Sequence, residues 1–183
     1  RKFNYTAWKD WEKPFADCDK KAIEKYRLDN TQEIRFWQFT QFIFLQQWQA
    51  LKSYANAKGI EIMGDMPLYV AYDSVEAWKM PELFILNDDN SPKLVAGCPP
   101  DMFSEDGQLW GNPCYNWDYH KKTKYKWWNA RIKSLFQLYD ILRIDHFRGM
   151  DRFYAIPAEE DTARNGEWLD GPKFDLFKDK LDL

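Results

Sequence analysis

Ile141-Leu-Arg-Ile-Asp-His-Phe-Arg-Gly149 is the stretch whose reading decides the fold. It predicts a short buried strand, because successive side chains of a strand point to opposite faces. Ile141, Arg143 and Asp145 share one face, and Leu142 and Ile144 share the other. One face is apolar; the other brings a charge pair to the strand end. A nearby guanidinium favours the ionised form of a carboxylate, so Asp145 is a candidate nucleophile. His146 adds a hydrogen-bond donor directly after it. Gly149 predicts an exit from the strand through backbone conformations closed to other residues. An Arg–Asp pair that merely closes a strand fits the same spacing.

Upstream, apolar residues at Ile34, Trp37, Phe42, Leu45, Trp48 and Leu51 predict a helix over residues 31–57, with Gly59 as its C-terminal cap. Trp37, Trp48, Trp127 and Trp128 fall in helical patterns and are assigned to core packing. Residues 60–65 read as a second strand, with Glu61, Met63 and Asp65 on one face and Asp65 at its carboxyl end, where Met66-Pro67 discourages further pairing. Asp73 or Ser74 is placed to cap a short helix through Trp78. Residues 84–96 resemble a small hairpin around Asn87 to Pro92.

Residues 97–117, with Pro99, Pro100, Gly107, Gly111 and Pro113, predict a long loop. Loops of this length inside a compact domain are usually functional or disordered, and Phe103 and Trp110 argue against disorder. An aromatic-anchored structural loop is the alternative. Residues 118–139 then predict a helix with a stripe at Tyr125, Trp128, Ile132, Leu135 and Leu138. Strand, helix and strand form a parallel βαβ unit. In barrels of such units the active site lies at the carboxyl ends of the strands, so Asp65 and Asp145 are expected at one mouth. After Gly149 come an apolar run at 153–157, a polar turn at 162–168 and an amphipathic segment at 174–183.

Composition narrows the functional classes. A net charge of −3 over 183 residues gives no footprint for nucleic acid. No apolar run approaches the length of a bilayer span, and the amino terminus lacks a signal-peptide pattern, so a soluble, cytoplasmic protein is expected. Cys18, Cys98 and Cys114 are widely spaced and fit neither a zinc site nor a disulfide framework; the aspartates form no calcium loop. No metal or organic cofactor is expected. Aromatic residues make up 18% of the chain, ten of them tryptophan, which is compatible with sugar-binding platforms.

Five motifs taken together carry a resemblance: Gly64-Asp-Met-Pro67, Ala96-Gly-Cys-Pro-Pro-Asp-Met-Phe-Ser104, Gly107-Gln-Leu-Trp-Gly-Asn-Pro113, Leu142-Arg-Ile-Asp-His-Phe-Arg-Gly149 and Thr162-Ala-Arg-Asn-Gly-Glu-Trp168. In order and spacing they resemble the amylomaltase, or 4-alpha-glucanotransferase, family of the alpha-amylase clan. The resemblance implies a (β/α)₈ barrel enzyme that cleaves an alpha-1,4 bond and passes the glucanosyl unit to glucose or another glucan. It implies Asp145 as the nucleophile and Arg143 as the residue holding it. Asp65, His146 and Trp110 would contact substrate, and Asp101, Phe103 and Gln108 would lie in a loop covering the acceptor side. Maltooligosaccharides and glucose are the implied partners, without nucleic acid or membrane; oligomeric state is left open.

The same resemblance puts the acid/base glutamate and a third essential aspartate beyond the aligned region. A barrel of this kind takes about 250 residues. Residues 1–183 are therefore expected to be an α/β partial TIM barrel, the middle segment of one larger catalytic domain, with no complete second domain and no activity alone. Glu159, Glu160 and Glu167 are expected at the solvated surface. An alpha-amylase-type hydrolase and a noncatalytic carbohydrate-binding module are the competing readings. The first shares the nucleophile strand, and the second explains the tryptophans but not the Arg143–Asp145 spacing.

Overall fold

The computed structural model describes residues 3–178. It is an α/β fold. In chain order come α1 (Lys13–Ala16), α2 (Lys20–Asp29), α3 (Thr31–Asn56), β1 (Met63–Met66), α4 (Val75–Lys79), β2 (Leu94–Cys98) and β3 (Gln108–Pro113). There follow α5 (Trp117–Lys122), α6 (Lys126–Phe136), β4 (Ile141–Ile144), α7 (Arg148–Asp151), β5 (Arg152–Pro157) and β6 (Glu167–Asp170). The chain divides into two compact units, residues 3–66 with 130–143, and residues 67–129 with 144–178.

In the first unit, α2 starts where the Asp19 carboxylate accepts from the amides of Lys21 and Ala22, an ordinary N-cap. α3 ends as expected: Gly59, at φ +74°, lets the Ile60 amide reach back to the Ala55 carbonyl. Its packing departs from expectation. Trp37, Phe42, Leu45 and Leu51 are all exposed, and Trp37 is 59% exposed rather than in a core. Phe36, Phe39 and Phe44 are exposed as well, so large apolar groups occupy several sides of the helix rather than one stripe. Trp48 is half-buried, its indole Nε1 donating to the Leu138 carbonyl at 2.7 Å and its ring meeting Tyr139 edge-on at 5.9 Å.

β1 and β4 are hydrogen-bonded neighbours in a two-stranded sheet. β1 begins at Met63, later than the expected residue 60, and alternates exposed and buried side chains. β4 alternates as predicted, but none of its residues is buried. With β1 as its one pairing partner among the described residues, it has neither the flanking strands nor the covering layers that bury a strand.

The second unit is built on an antiparallel sheet in the order β3-β2-β5-β6. Val95 faces Ile156 and Ala96 faces Ala155 across β2 and β5, and Phe153 to Ile156 are all buried. Residues 97–117 are therefore not one long loop: β2 and β3 form a hairpin around a connection over 99–107. The glycines and proline that suggested a loop are compatible with an edge strand. Gly111 takes φ +75°, and Pro113 sits where the register shifts across from Val95 and Gly97. The expected turn near Asn87 is present, the Asn87 amide bonding to the Ser91 carbonyl at 2.8 Å. Ser74 caps α4 through the Ala77 amide.

The helix expected over 118–139 is broken into α5 and α6. Lys124 and Tyr125 take φ of 52° and 54°, and the Tyr125 amide bonds to the His120 carbonyl at 2.7 Å. The break turns Tyr125 inward and seats Trp128, fully buried, stacked on Trp117 at 5.6 Å. Tyr115 lies among Phe84, Trp128 and His120, at 5.3, 5.1 and 5.5 Å. The amphipathic segment at 174–183 is described only to residue 178, where Lys173–Leu176 forms a one-turn 3-10 helix.

His120 is fully buried in this aromatic cluster. Its Nε2 meets the Leu83 carbonyl at 3.1 Å, while Nδ1 has no hydrogen-bond partner. Burial holds its pKa down to about 4 against the small opposing pull of the Leu83 carbonyl. The unfolded chain, with an ordinary imidazole, therefore takes the proton first. Stability is full above pH 6.5 and falls as pH drops toward 4, by about 3 kcal/mol for a shift of this size. Denaturant melts between pH 7 and 4 are expected to show this slope, and His120→Gln is expected to flatten it.

Candidate active site

Most predicted site residues fall into two local groups, while Asp101 and Phe103 lie apart in the connection between β2 and β3. The first, in the unit containing β1, is an ion pair. Arg143 Nη1, on β4, donates to Asp65 Oδ2, at the tip of β1, at 2.8 Å. Both side chains are more than half exposed, so the pair fixes geometry rather than stability. What brings the strands together lies behind it. Asp140, just before β4, accepts from the Lys52 ammonium on α3, from Asn56 Nδ2 at 2.8 Å and from the Ile62 amide at 2.9 Å. The hydrogen bond from Lys52 is the largest influence holding the Asp140 pKa down to about 2, followed by those from Ile62 and Asn56. The Ile62 carbonyl accepts from the Asp140 and Ile141 amides in return.

Gly64, between them, sits directly under the ring of Tyr139, where a Cβ would occupy the space of the ring itself. Tyr139 is kept from moving aside by Trp48. The backbone contact here demands glycine.

The second group begins where β4 ends. Asp145 is exposed, and His146 follows at φ +53°, a left-handed conformation that costs a non-glycine residue energy unless its surroundings impose it. The histidine, and not Gly149, supplies the unusual backbone. Gly149 is needed for a different reason. A Cβ there would run into Leu68 and stand 3.2 Å from His146 Cδ2. The Gly149 amide closes the turn onto the His146 carbonyl at 2.9 Å.

The His146 ring meets Trp110 edge-to-face, with centroids 4.8 Å apart and planes at 89°. Its Nε2 is buried without a hydrogen-bond partner in the protein. Burial lowers its pKa; Asp145 pulls the other way and Arg148 adds to the lowering. A neutral imidazole with an unclaimed nitrogen suits a hydroxyl ligand better than a charged one. Trp110 is itself oriented by Gln108, whose Oε1 accepts from the indole Nε1 at 3.0 Å.

In the connection between β2 and β3, Asp101 has a local task. Its Oδ1 accepts from the Phe103 and Ser104 amides at 2.8 and 2.9 Å, a side-chain turn that holds the loop in shape. Phe103 and Met102 project from it, each 89% exposed. The loop is pinned to the segment after β5: the Ala163 amide bonds to the Asp106 carbonyl at 2.8 Å, and Arg164 pairs with the Asp106 carboxylate at 2.7 Å.

The structure thus brings Asp65 to Arg143, and Trp110, oriented by Gln108, to His146. Sequence reasoning missed Tyr69, whose buried ring lies 6.2 Å from both Trp110 and His146. The signal was an aromatic residue two positions after Pro67 in the strand-tip motif. Asn112, within the Gly107–Pro113 motif, holds the Val70 carbonyl at 2.9 Å. Glu159 and Glu167 are exposed, and Glu160 is engaged by Asn165 at 2.9 Å, as expected for surface groups.

Residues 1–180 match the family model described as 4-alpha-glucanotransferase. A 4-alpha-glucanotransferase of Clostridium butyricum is 49% identical over 96% of this chain and 36% of its own length. The chloroplastic/amyloplastic enzyme of Solanum tuberosum is 43% identical over 95% of this chain and 30% of its own. The structure of amylomaltase from Streptococcus agalactiae in complex with acarbose is similar at TM-score 0.92 and 47% identity, over 96% of this chain and 36% of that one. The chain spans about a third of the length of the relatives it matches.

Substituting Gly64→Ala is expected to destabilise a protein of the relatives' full length by about 1–3 kcal/mol, the usual cost of overpacking a filled site. Thermal melts check this, with Gly111→Ala separating clash from backbone strain: Gly111 has nothing near its missing Cβ but a φ of +75°.

Proposed function

The chain belongs to the 4-alpha-glucanotransferase family, and from that premise we propose that it is the part of such an enzyme that carries the nucleophile. The protein of full length transfers an alpha-1,4-glucan segment from a maltooligosaccharide to glucose or to another glucan. The 183 residues form part of a (β/α)₈ barrel in a single catalytic domain, and β1 and β4 are two of its strands.

The reaction is a double displacement with retention. The Asp145 carboxylate attacks the anomeric carbon, and the bond to the leaving glycosyl oxygen breaks as a carboxylic acid about 5–5.5 Å away protonates it. The acceptor hydroxyl then displaces Asp145, returning its proton to that acid/base group. The family resemblance assigns the acid/base role to a glutamate outside these residues. Arg143 holds the nucleophile, and Asp65, His146 and Trp110 bind the sugar at the bond that breaks. Asp101 and Phe103 in the connection between β2 and β3, with Gln108 at the start of β3, cover the acceptor side, orienting the acceptor and excluding water.

The observation that carries this reading is His146. Its ring is held by Trp110 one residue beyond Asp145, and its buried Nε2 has no partner in the protein, which suits a sugar hydroxyl as the missing partner.

Maltotriose disproportionation tests it. A protein of the relatives' full length carrying this segment is expected to make glucose and longer maltodextrins, and Asp145→Asn to abolish both; binding without turnover would identify a glucan-binding protein instead. The 183-residue chain alone is expected to be inactive. Trp110→Ala is expected to raise the ratio of hydrolysis to transfer, read from the reducing ends formed per glucose transferred. A lower total activity at an unchanged ratio would remove the role of Trp110 in excluding water.

A further inference from the structure

Tyr69 stands between the buried aromatic cluster and the His146–Trp110 pair. On its inner side its ring stacks on Tyr115 at 5.9 Å with planes at 12°. On its outer side it meets Trp110 and His146, both at 6.2 Å. The backbone is clamped on either side of it: the Tyr115 hydroxyl donates to the Leu68 carbonyl at 2.9 Å, and Asn112 Nδ2 donates to the Val70 carbonyl at 2.9 Å. Tyr115 in turn is packed by Phe84 and Trp128. A rigid stack therefore runs from the core to a histidine whose own backbone is strained.

Such a histidine keeps its conformation only while its neighbours leave no room for relaxation. Gly149 and Leu68 close one side of the ring, Trp110 meets it edge-on, and Tyr69 supplies the remaining aromatic neighbour. Take away the Tyr69 ring and the packing that opposes a rotation of His146 or Trp110 is lost.

We propose that Tyr69 is a positioning residue for glucan transfer, acting through His146 by holding it in its strained conformation against Trp110. This rests on the reading that His146 contacts the sugar. Small displacements of a positioned group carry large kinetic penalties, about 100-fold for 1 Å, so the effect belongs in turnover.

The test is a double-mutant cycle in maltotriose disproportionation on a protein of the relatives' full length. Tyr69→Met, which keeps bulk and loses the flat ring, is expected to lower kcat by about 10-fold or more while leaving KM within about threefold; Tyr69→Phe is expected to restore most of the loss. In a His146→Ala background the further loss from Tyr69→Met is expected to shrink below about threefold, because the two residues act as one unit. Losses that multiply, or a Tyr69→Phe variant as impaired as Tyr69→Met, would overturn the proposal while leaving the role of His146 standing. A His146→Ala variant with full turnover would remove the sugar contact itself, and the proposal with it. Should Tyr69→Met not fold, Tyr115→Phe carries the test: it keeps every ring and removes only the Leu68 anchor. It is expected to lower kcat two- to fivefold, and to have no effect once His146 is alanine; an effect that persists there overturns the proposal.

Discussion

The geometry of the first unit depends on one carboxylate. Asp140 takes hydrogen bonds from Lys52 and Asn56 on α3 and from the Ile62 amide ahead of β1, while standing just before β4. Helix and both strands therefore share a fixed point. Only with that point in place does Arg143 on β4 reach Asp65 on β1, and only with a glycine at position 64 can β1 pass beneath Tyr139. An exposed ion pair contributes little to stability, so the Arg143–Asp65 contact is a product of this framework and not its cause. Its value is in where it puts two charges.

The second unit solves a comparable problem with rings. A four-stranded antiparallel sheet buries β5 from Phe153 to Ile156, and beside the sheet sits a cluster of tryptophan, tyrosine and one neutral histidine. Tyr115 belongs to that cluster and also holds the Leu68 carbonyl, so the same residue that packs the core fixes the segment carrying Tyr69. From Tyr69 the order of the interior reaches His146. A histidine in left-handed conformation with an unpartnered nitrogen is a costly arrangement, and the dense packing behind it is what makes it sustainable.

What was legible in the sequence was whatever depended on local pattern. The alternation at Ile141 to Ile144, Asp65 at a strand tip, the reach of α3 and the Ser74 cap were readable because period and capping chemistry are properties of a few neighbouring residues. Features set by distant partners were misread. Prolines and glycines around Trp110 suggested a loop, since nothing local reveals that β3 lies on a sheet edge where a proline is harmless. The break at Lys124 and Tyr125 was invisible because it is stabilised by what Tyr125 and Trp128 bury against. Gly149 was given the unusual backbone that belongs to His146, because a need for φ above zero and a need for no Cβ look alike in a sequence. The stripe on α3 was misjudged in another way: Phe36, Trp37, Phe39, Phe42 and Phe44 occupy several sides. A helix apolar on many sides does not offer the single stripe that periodicity reads.

The proposed chemistry bears on the same division. A retaining mechanism needs two carboxyl groups held in different states, one ionised and exposed to its electrophile, the other kept protonated by an apolar or otherwise desolvating pocket. Asp145, exposed directly after β4, is placed for the first of these roles. The glutamates that follow it do not meet the second. Glu159 and Glu167 are exposed, and Glu160 accepts a hydrogen bond from Asn165 in a polar turn, so none of the three sits in such a pocket. On the proposed reading, this segment supplies the nucleophile and its sugar contacts, and the proton comes from elsewhere in the barrel. The two halves of the reaction then meet only when the fold is closed, which ties turnover to folding of the whole domain.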